Sequence, residues 1–220
     1  ERARAAPHTG AKGVCLASRR GAGAGVSEGE LTALDACCRG HGLYLFGDGA
    51  RLGAALTSEA NYLTLPEFAR LCDVFYIGGT KNGAMFGEAL VITRPELADG
   101  FFRMKKRMGA VMEKGWIQGV TFQTLFTDDL YFNMARHANQ MAKRLQEGLK
   151  AKGWPLWVES PTNQVFVIAP NDKKPILDEV CDYEDWCPYD ETHTVVRFVT
   201  CFHTAQADVD GLLAALPDLN

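Results

Sequence analysis

One lysine of this sequence, Lys81, lies in a glycine-rich segment between two short apolar runs, residues 74–77 and 89–92. An amine that is desolvated at the end of a strand has a lowered pKa and becomes a nucleophile toward carbonyl compounds. The alternative is a tight turn with a solvated lysine at its tip. Lys81 is therefore the first candidate for covalent chemistry.

Two further ionisable residues have placements that suit ligand binding. Asp48 follows the apolar run 43–46, and an acid just past the carboxyl end of a buried strand lies where open α/β sheets bind ligands. Its alternative interpretation is a turn aspartate before a helix. Arg197 lies inside the apolar run 194–201, where its burial requires a carboxylate from the protein or from a ligand.

The elements that position these residues follow from hydrophobic runs and helix caps. Apolar runs predict strands, and capping boxes predict helix starts at Ser27 and Thr64. The predicted strands are 13–17, 43–46, 74–77 and 89–92, the last two interpreted as buried, and the predicted helices between them are 27–39 and 65–71. This order predicts a mostly parallel sheet covered on both faces. Asp48 and Lys81 are then expected at the same carboxyl edge, with glycines 78, 79, 83 and 87 allowing close backbone approach.

The character of the chain changes after residue 93. One helix is predicted over 97–108 and a long helical region over 115–152, on whose apolar stripe His137 is interpreted as a packed or capping residue. Residues 153–155 should end that region. Beyond them we predict strands at 157–158, 164–169 and 194–201, and helices at 174–181 and 204–215. The predicted domains are 1–95, a partial large domain; 96–152, connecting helices; and 153–220, a small α+β domain.

Composition narrows the class of protein. The chain has 220 residues, 47% of them hydrophobic and 23% charged, with a net charge of −4. Such values are typical of soluble globular proteins and favour neither nucleic-acid nor membrane partners. The basic cluster at 103–107 is interpreted as a solvated helix face. No apolar run approaches the ~20 residues of a membrane span, and no signal peptide is visible.

Cysteine and glycine usage adds two expectations. The seven cysteines form no Cys-x-x-Cys pair and the five histidines lack metal-ligand spacing, so we expect free thiols in a reducing cytoplasm and no structural metal. The glycine-rich segment 18–25 lacks the lysine and hydroxyl of a P-loop. It is therefore predicted to be a mobile loop rather than a phosphate cradle.

Four segments together resemble one enzyme family. They are Gly-Asp-Gly-Ala-Arg-Leu at 47–52, Tyr-Ile-Gly-Gly-Thr-Lys-Asn-Gly-Ala-Met-Phe-Gly-Glu-Ala-Leu-Val-Ile at 76–92, Ser-Pro-Thr-Asn-Gln at 160–164 and Val-Val-Arg-Phe at 195–198. They resemble the low-specificity L-threonine aldolase group of the β-eliminating lyase family, which are fold-type-I pyridoxal-phosphate enzymes. The resemblance runs from about Ser27 to the end of the chain. It implies an α/β fold comprising the second half of a mostly parallel-sheet large domain and a smaller α+β C-terminal domain.

The same resemblance implies that the chain is the C-terminal part of such an enzyme. The family has a further N-terminal portion with the phosphate-binding loop and the histidine that stacks on the cofactor ring, and no segment here matches it. At the spacing of a Pro-Thr-Glu-x-Gly type stretch, this chain has Arg-Arg-Gly-Ala-Gly at 19–23. An incomplete active site is therefore expected.

The resemblance also implies roles for four residues. Lys81 matches the lysine that binds pyridoxal 5'-phosphate covalently, and Asp48 matches the partner of its pyridine nitrogen. Arg51 matches the arginine close to the cofactor and the substrate carboxylate. Arg197 matches the arginine that binds the α-carboxylate.

The implied reaction cleaves the Cα–Cβ bond of a β-hydroxy-α-amino acid, such as threonine or allo-threonine, to give glycine and an aldehyde. A β-eliminating amino-acid lyase is one alternative. A non-catalytic remnant or dimerisation subunit is another. The implied partners are a small amino acid and further copies of the chain in a homodimer or homotetramer.

Overall fold

A computed structural model of the protein describes residues 13–17 and 28–219. The predicted irregular lead-in, the glycine-rich segment 18–25 and the Ser27 cap lie outside these residues. The described residues form two compact units. The first comprises 13–17, 28–56 and 61–131, and the second comprises 57–60 and 132–219.

The first unit contains a four-stranded sheet. Its strands are β1 (Gly13–Ala17), β2 (Tyr44–Asp48), β3 (Val74–Ile77) and β4 (Ala89–Ile92), in the order β1-β2-β3-β4. β1, β2 and β3 run parallel, whereas β4 is antiparallel to β3. The predicted mostly parallel sheet is therefore confirmed.

Six helices accompany this sheet in the described part of the first unit. They are α1 (Glu28–Gly40), α2 (Leu52–Leu56), α3 (Leu65–Leu71), α4 (Pro95–Ala98), α5 (Phe101–Arg107) and α6 (Trp116–Leu125). The predicted capping box at the start of α3 is confirmed, because Thr64 and Glu67 exchange side-chain-to-backbone hydrogen bonds there. The single helix predicted over 97–108 is wrong, since Gly100 has a φ of 71° and separates α4 from α5.

Aromatic and aliphatic side chains form the core of the first unit. Phe68 and Phe75 are buried and meet edge to face with their ring centroids 5.2 Å apart. Leu45 is also buried. The prediction that 89–92 is a buried strand is wrong, because β4 lies at the end of the sheet order and Leu90 is 43% exposed. An edge strand is covered by a neighbour on one side only.

The second unit contains an antiparallel sheet packed against helices. Its strands are β5 (Leu156–Val158), β6 (Gln164–Pro170), β7 (Glu184–Pro188) and β8 (His193–Val199), in the order β5-β6-β8-β7. All neighbouring pairs are antiparallel. The α+β character predicted for the end of the chain is confirmed, and β7 is a strand that the sequence analysis did not predict.

Three further α-helices lie in the rest of the described chain. They are α7 (Leu130–Ala151), whose first two residues belong to the first unit, α8 (Lys174–Val180) and α9 (Gln206–Ala215). The core of the second unit joins helix residues such as Leu145 and Leu177 to strand residues such as Val167 and Val196. His137 Nε2 lies 2.8 Å from the Thr204 carbonyl oxygen, which confirms its predicted capping or packing role.

The predicted helical region 115–152 contains one interruption. A short 3-10 turn, Thr127–Asp129, separates α6 from α7, and Asp128 and Asp129 have φ values of 51° and 56°. At the other end, Gly153 has a φ of 78° and α7 ends just before it, as predicted. Left-handed backbone at a glycine is a common way to end a helix.

Across 13–17 and 28–219, no helix has the length and apolar character that crossing a bilayer demands. The same residues contain no group of three or more His, Cys, Asp and Glu side chains that could hold a metal ion.

Candidate active site

Asp48 and Lys81 lie at the same edge of the first sheet. Asp48 is the last residue of β2, and Lys81 follows the last residue of β3 in a loop. β2 and β3 are parallel neighbours, with Gly47 opposite Phe75, so their carboxyl ends meet at one edge. The predicted placement is confirmed, while the chemical roles of the two residues stay predictions.

Two glycines allow the backbone to approach closely at this edge. The Gly78 N–H donates to the Gly49 carbonyl oxygen over 2.9 Å, which joins the segment after β2 to the segment after β3. A Cβ on Gly49 would lie 1.7 Å from the Tyr76 carbonyl oxygen, and one on Gly78 would lie 2.4 Å from that of Ala50. Glycine is therefore required at both positions.

The Asp48 carboxylate is held through one of its two oxygens. Oδ1 accepts hydrogen bonds from the Ala50 N–H at 3.0 Å and from the Tyr76 hydroxyl. Oδ2 accepts no hydrogen bond from the residues that the structure describes. Burial, together with the bond to Asp48, raises the pKa of Tyr76, so its hydroxyl remains a donor at neutral pH. The carboxylate is thus fixed in orientation through Oδ1, and no described residue engages Oδ2.

Lys81 belongs to a loop of residues 78–88, which we call the lysine loop. The Glu88 carboxylate accepts hydrogen bonds from the Gly79 N–H and, at 2.9 Å, from the Thr80 hydroxyl. Gly83 and Gly87 have φ values of 100° and 85°, which residues with a Cβ atom rarely adopt. The carboxylate and the two left-handed glycines therefore fix the backbone on both sides of Lys81.

The Lys81 side chain itself is exposed. Its amine makes no hydrogen bond or ion pair within the described part of the chain. The expected desolvation of the amine is therefore not found, and the solvated-turn alternative describes its surroundings here. The amine is accessible to a reagent from solvent.

Tyr131 is a positioning residue that the sequence analysis missed. Its side chain is buried; the hydroxyl accepts a hydrogen bond from Gly53 N–H at 3.2 Å and donates to the Gly78 carbonyl oxygen at 3.0 Å. Its own carbonyl oxygen accepts from the Asn82 side chain at 2.8 Å. One residue therefore ties the start of α2 to both sides of Lys81.

Replacing Tyr131 with phenylalanine should destabilise the first unit by about 2 kcal/mol. The change keeps the buried ring but removes the hydrogen bonds to the Gly53 N–H and the Gly78 carbonyl oxygen. These partners are buried, so water does not readily replace the lost hydroxyl. Urea unfolding measures the loss. Tyr62 is 80% exposed, so Tyr62→Phe is the matched control and should leave the unfolding midpoint unchanged. Equal midpoints for Tyr131→Phe and the parent chain would show that these bonds are not needed.

The two candidate arginines lie in different units. Arg51 is half-buried between β2 and α2 of the first unit. Arg197, on β8 of the second unit, forms an ion pair with Glu184 on β7. The sequence left open whether a protein or a ligand carboxylate would pair with Arg197. In the described chain, Glu184 supplies that carboxylate.

Comparisons with known proteins agree with these features. The sequence profile of the family described as Beta-eliminating lyase matches residues 5–171. A low-specificity L-threonine aldolase from Pseudomonas aeruginosa is 33% identical over 118 residues, or 54% of this chain and 34% of that protein. The corresponding enzyme of a Pseudomonas species is 33% identical over 116 residues, again with 34% of its length covered. The matched part of the chain thus spans about a third of these relatives.

Solved structures show the same relationship. A Leishmania major threonine aldolase is 39% identical with a TM-score of 0.89, over 92% of this chain and 59% of that one. A Thermus thermophilus aspartate aminotransferase is 17% identical with a TM-score of 0.66, over 93% of this chain and 56% of that one, which shows a shared fold. Both have the architecture of fold-type-I pyridoxal-phosphate enzymes. The chain therefore belongs to the β-eliminating lyase family, in its threonine aldolase group, and has part of the fold-type-I architecture.

Proposed function

We propose that this chain acts in a pyridoxal-phosphate-dependent lyase that cleaves the Cα–Cβ bond of β-hydroxy-α-amino acids. Threonine and allo-threonine would give glycine and an aldehyde. The observation that carries the proposal is the placement of Asp48 and Lys81 after neighbouring parallel strands at one sheet edge. Similarity to threonine aldolases supports the choice of substrate.

The residues at this edge fit pyridoxal phosphate. Asp48 offers Oδ2, which accepts no hydrogen bond from the described residues, while the Tyr76 hydroxyl and the Ala50 N–H hold Oδ1. Lys81 offers an exposed amine. Glycines 49 and 78 keep Cβ atoms away from the closely approaching backbones. When bound, the cofactor would supply an electron-withdrawing ring that stabilises negative charge at the substrate Cα.

Each residue then has a distinct task. Lys81 would hold the cofactor covalently through its amine. Asp48 would accept the N–H of the protonated ring nitrogen and, as an anion, keep that proton in place. Tyr76 prevents the carboxylate from rotating away. Arg51, in the turn that follows Asp48, would place a positive charge on the cofactor and substrate side of this edge.

Arg197 is assigned to the substrate α-carboxylate. A guanidinium group offers two parallel N–H donors that match the two oxygens of a carboxylate. Its side chain is fixed on a strand rather than on a flexible loop, which favours orientation of the bound amino acid.

The products formed from one common substrate test the proposal. L-serine, supplied with pyridoxal phosphate, should give glycine and formaldehyde. Pyruvate and ammonia would instead indicate a β-eliminating amino-acid lyase. If threonine, allo-threonine and serine all remain unchanged and no cofactor is retained, the non-catalytic subunit is the correct alternative.

A second copy of the chain is proposed to cover exposed apolar side chains of the first unit. Large side chains exposed there include Met85, Phe102, Met104, Met108 and Trp116. Methionine and aromatic side chains are enriched in protein–protein interfaces. Sedimentation equilibrium should therefore give a mass of two or four chains, and a monomer at micromolar concentration would contradict this.

A further inference from the structure

Arg197 lies among aromatic side chains on one face of the second sheet. Its guanidinium carbon is 4.9 Å from the centroid of the Trp186 ring, and Trp186 meets Phe166 edge to face at 5.3 Å. Phe166 is directly opposite Arg197 in the β6–β8 register and is fully buried. The Arg197 side chain is only 21% exposed. Aromatic contacts therefore hold the guanidinium in place.

The ion pair with Glu184 uses only part of this guanidinium. Nη2 contacts the Glu184 carboxylate, while Nε is buried and has no hydrogen-bond partner in the described residues. Nε and Nη2 form one edge of the planar group, and a bidentate carboxylate normally engages both N–H donors of such an edge. Glu184 thus leaves half of this edge unsatisfied, and a free carboxylate could satisfy both donors.

Glu184 is also easier to move than Arg197. It lies directly opposite Arg197 on the neighbouring strand, but its side chain is 53% exposed. If the Glu184 carboxylate moved away from Arg197, it would return to water, and its solvation would change little because it is already partly exposed. Trp186 lies at an irregularity of the β7–β8 register, between Asp185 and Cys187. Such bulges redirect a side chain, here onto the guanidinium.

We propose that Glu184 is a displaceable occupant of the carboxylate site on Arg197. In the ligand-free protein it neutralises the guanidinium, and an incoming amino-acid carboxylate displaces it and engages both Nε and Nη2. Glu184 therefore lowers the apparent affinity for every carboxylate ligand. The ligand class rests on the proposed function, whereas the competition rests on the contacts of Arg197 alone.

The opposite role would be a fixed support that orients Arg197 for its ligand. The two roles predict opposite effects of Glu184→Gln, which keeps the shape and removes the charge. Displacement predicts tighter carboxylate binding, by about threefold for the loss of a partly exposed ion pair. Support predicts weaker binding or no change.

Nitrogen-15 NMR of the arginine Nε–H groups measures this binding without turnover. The Arg197 signal is assigned by its loss in Arg197→Lys, and its shift is followed while glycine or acetate is added to the full chain. The matched control is Asp185→Asn. It removes the same charge from β7 but faces Lys174, 2.7 Å away, and should leave both affinities unchanged.

Acetate separates failure of this inference from failure of the proposed function. Tighter acetate binding in Glu184→Gln supports displacement even if no amino acid is cleaved. Equal or weaker acetate and glycine binding overturns it even if cleavage is observed. An Arg197 signal that does not move with either ligand, in the parent chain or in Glu184→Gln, also overturns it.

Discussion

Replacing Lys81 with alanine is expected to abolish cleavage of β-hydroxy amino acids, by at least about a thousandfold in kcat/KM, as is typical when a catalytic nucleophile is removed. The amine would hold the cofactor covalently, and no other lysine lies in the lysine loop. Folding should be unaffected because the side chain is exposed and makes no hydrogen bond or ion pair with described residues. Surface changes of this kind usually alter stability by less than about 0.5 kcal/mol.

The matched control is Lys114→Ala, also in the first unit, where the side chain is 68% exposed. It should retain both the cofactor and the activity. If Lys81→Ala turned over threonine at a rate close to that of Lys114→Ala, the assignment of Lys81 would be wrong. Circular dichroism of each variant excludes loss of folding as the explanation.

Alanine at position 49 is expected to destabilise the first unit by about 3 kcal/mol, toward the upper end of the cost of overpacking. The new Cβ would lie 1.7 Å from the Tyr76 carbonyl oxygen, so the backbone of β3 or of the Asp48 turn must move. That movement would also break the hydrogen bond between Gly78 N–H and the Gly49 carbonyl oxygen. Urea unfolding measures the stability, and titration with pyridoxal phosphate measures the affinity of the candidate site for the cofactor.

Gly119→Ala is the matched control for this change. Gly119 is exposed inside α6, and a Cβ there would meet no atom within 4 Å. The same substitution should stabilise the chain by about 0.5–1 kcal/mol, because alanine loses less backbone freedom in a helix. Two glycine-to-alanine changes are thus expected to act in opposite directions. If Gly49→Ala were as stable as the parent chain, the close backbone approach between Gly49 and Tyr76 would not be rigid.

Local patterns predicted the elements around the candidate site. The runs 74–77 and 89–92 are short, apolar and bounded by glycine or polar residues, and both form strands with those bounds. The capping box at Thr64 satisfies backbone groups that every helix start leaves open, so it marks the start of α3 from sequence alone. Together these elements predicted the shared edge of Asp48 and Lys81.

Features that depend on distant pairing could not be predicted. The Tyr131 hydroxyl bonds to Gly53, which is 78 residues earlier in the chain, and to Gly78, which is 53 residues earlier. No local sequence pattern connects these positions. β7 carries Glu-Asp-Trp-Cys-Pro, which has two charges and a proline, and becomes a strand only through pairing with β8. Glu184 could therefore not be identified as the partner of Arg197. The sequence did indicate that such a partner exists, because a buried Arg197 requires a carboxylate.

The errors have local physical causes. Residues 97–108 contain enough apolar side chains to predict one helix. Gly100, however, adopts a left-handed conformation between the end of α4 and the start of α5. The exposure of β4 depends on its position at the sheet edge, which an apolar run does not reveal. The exposure of Lys81 likewise depends on which groups cover the lysine loop.

Borohydride reduction after titration with pyridoxal phosphate tests the central claim most directly. The chain is incubated with the cofactor, reduced, digested and mapped by mass spectrometry, with Lys81→Ala treated in parallel. We expect one stoichiometric pyridoxyl group on Lys81, and none at a comparable level in the variant. A chain that carries no pyridoxyl group, or one in which Lys81 is labelled no more than exposed lysines such as Lys114, would contradict the proposed cofactor site.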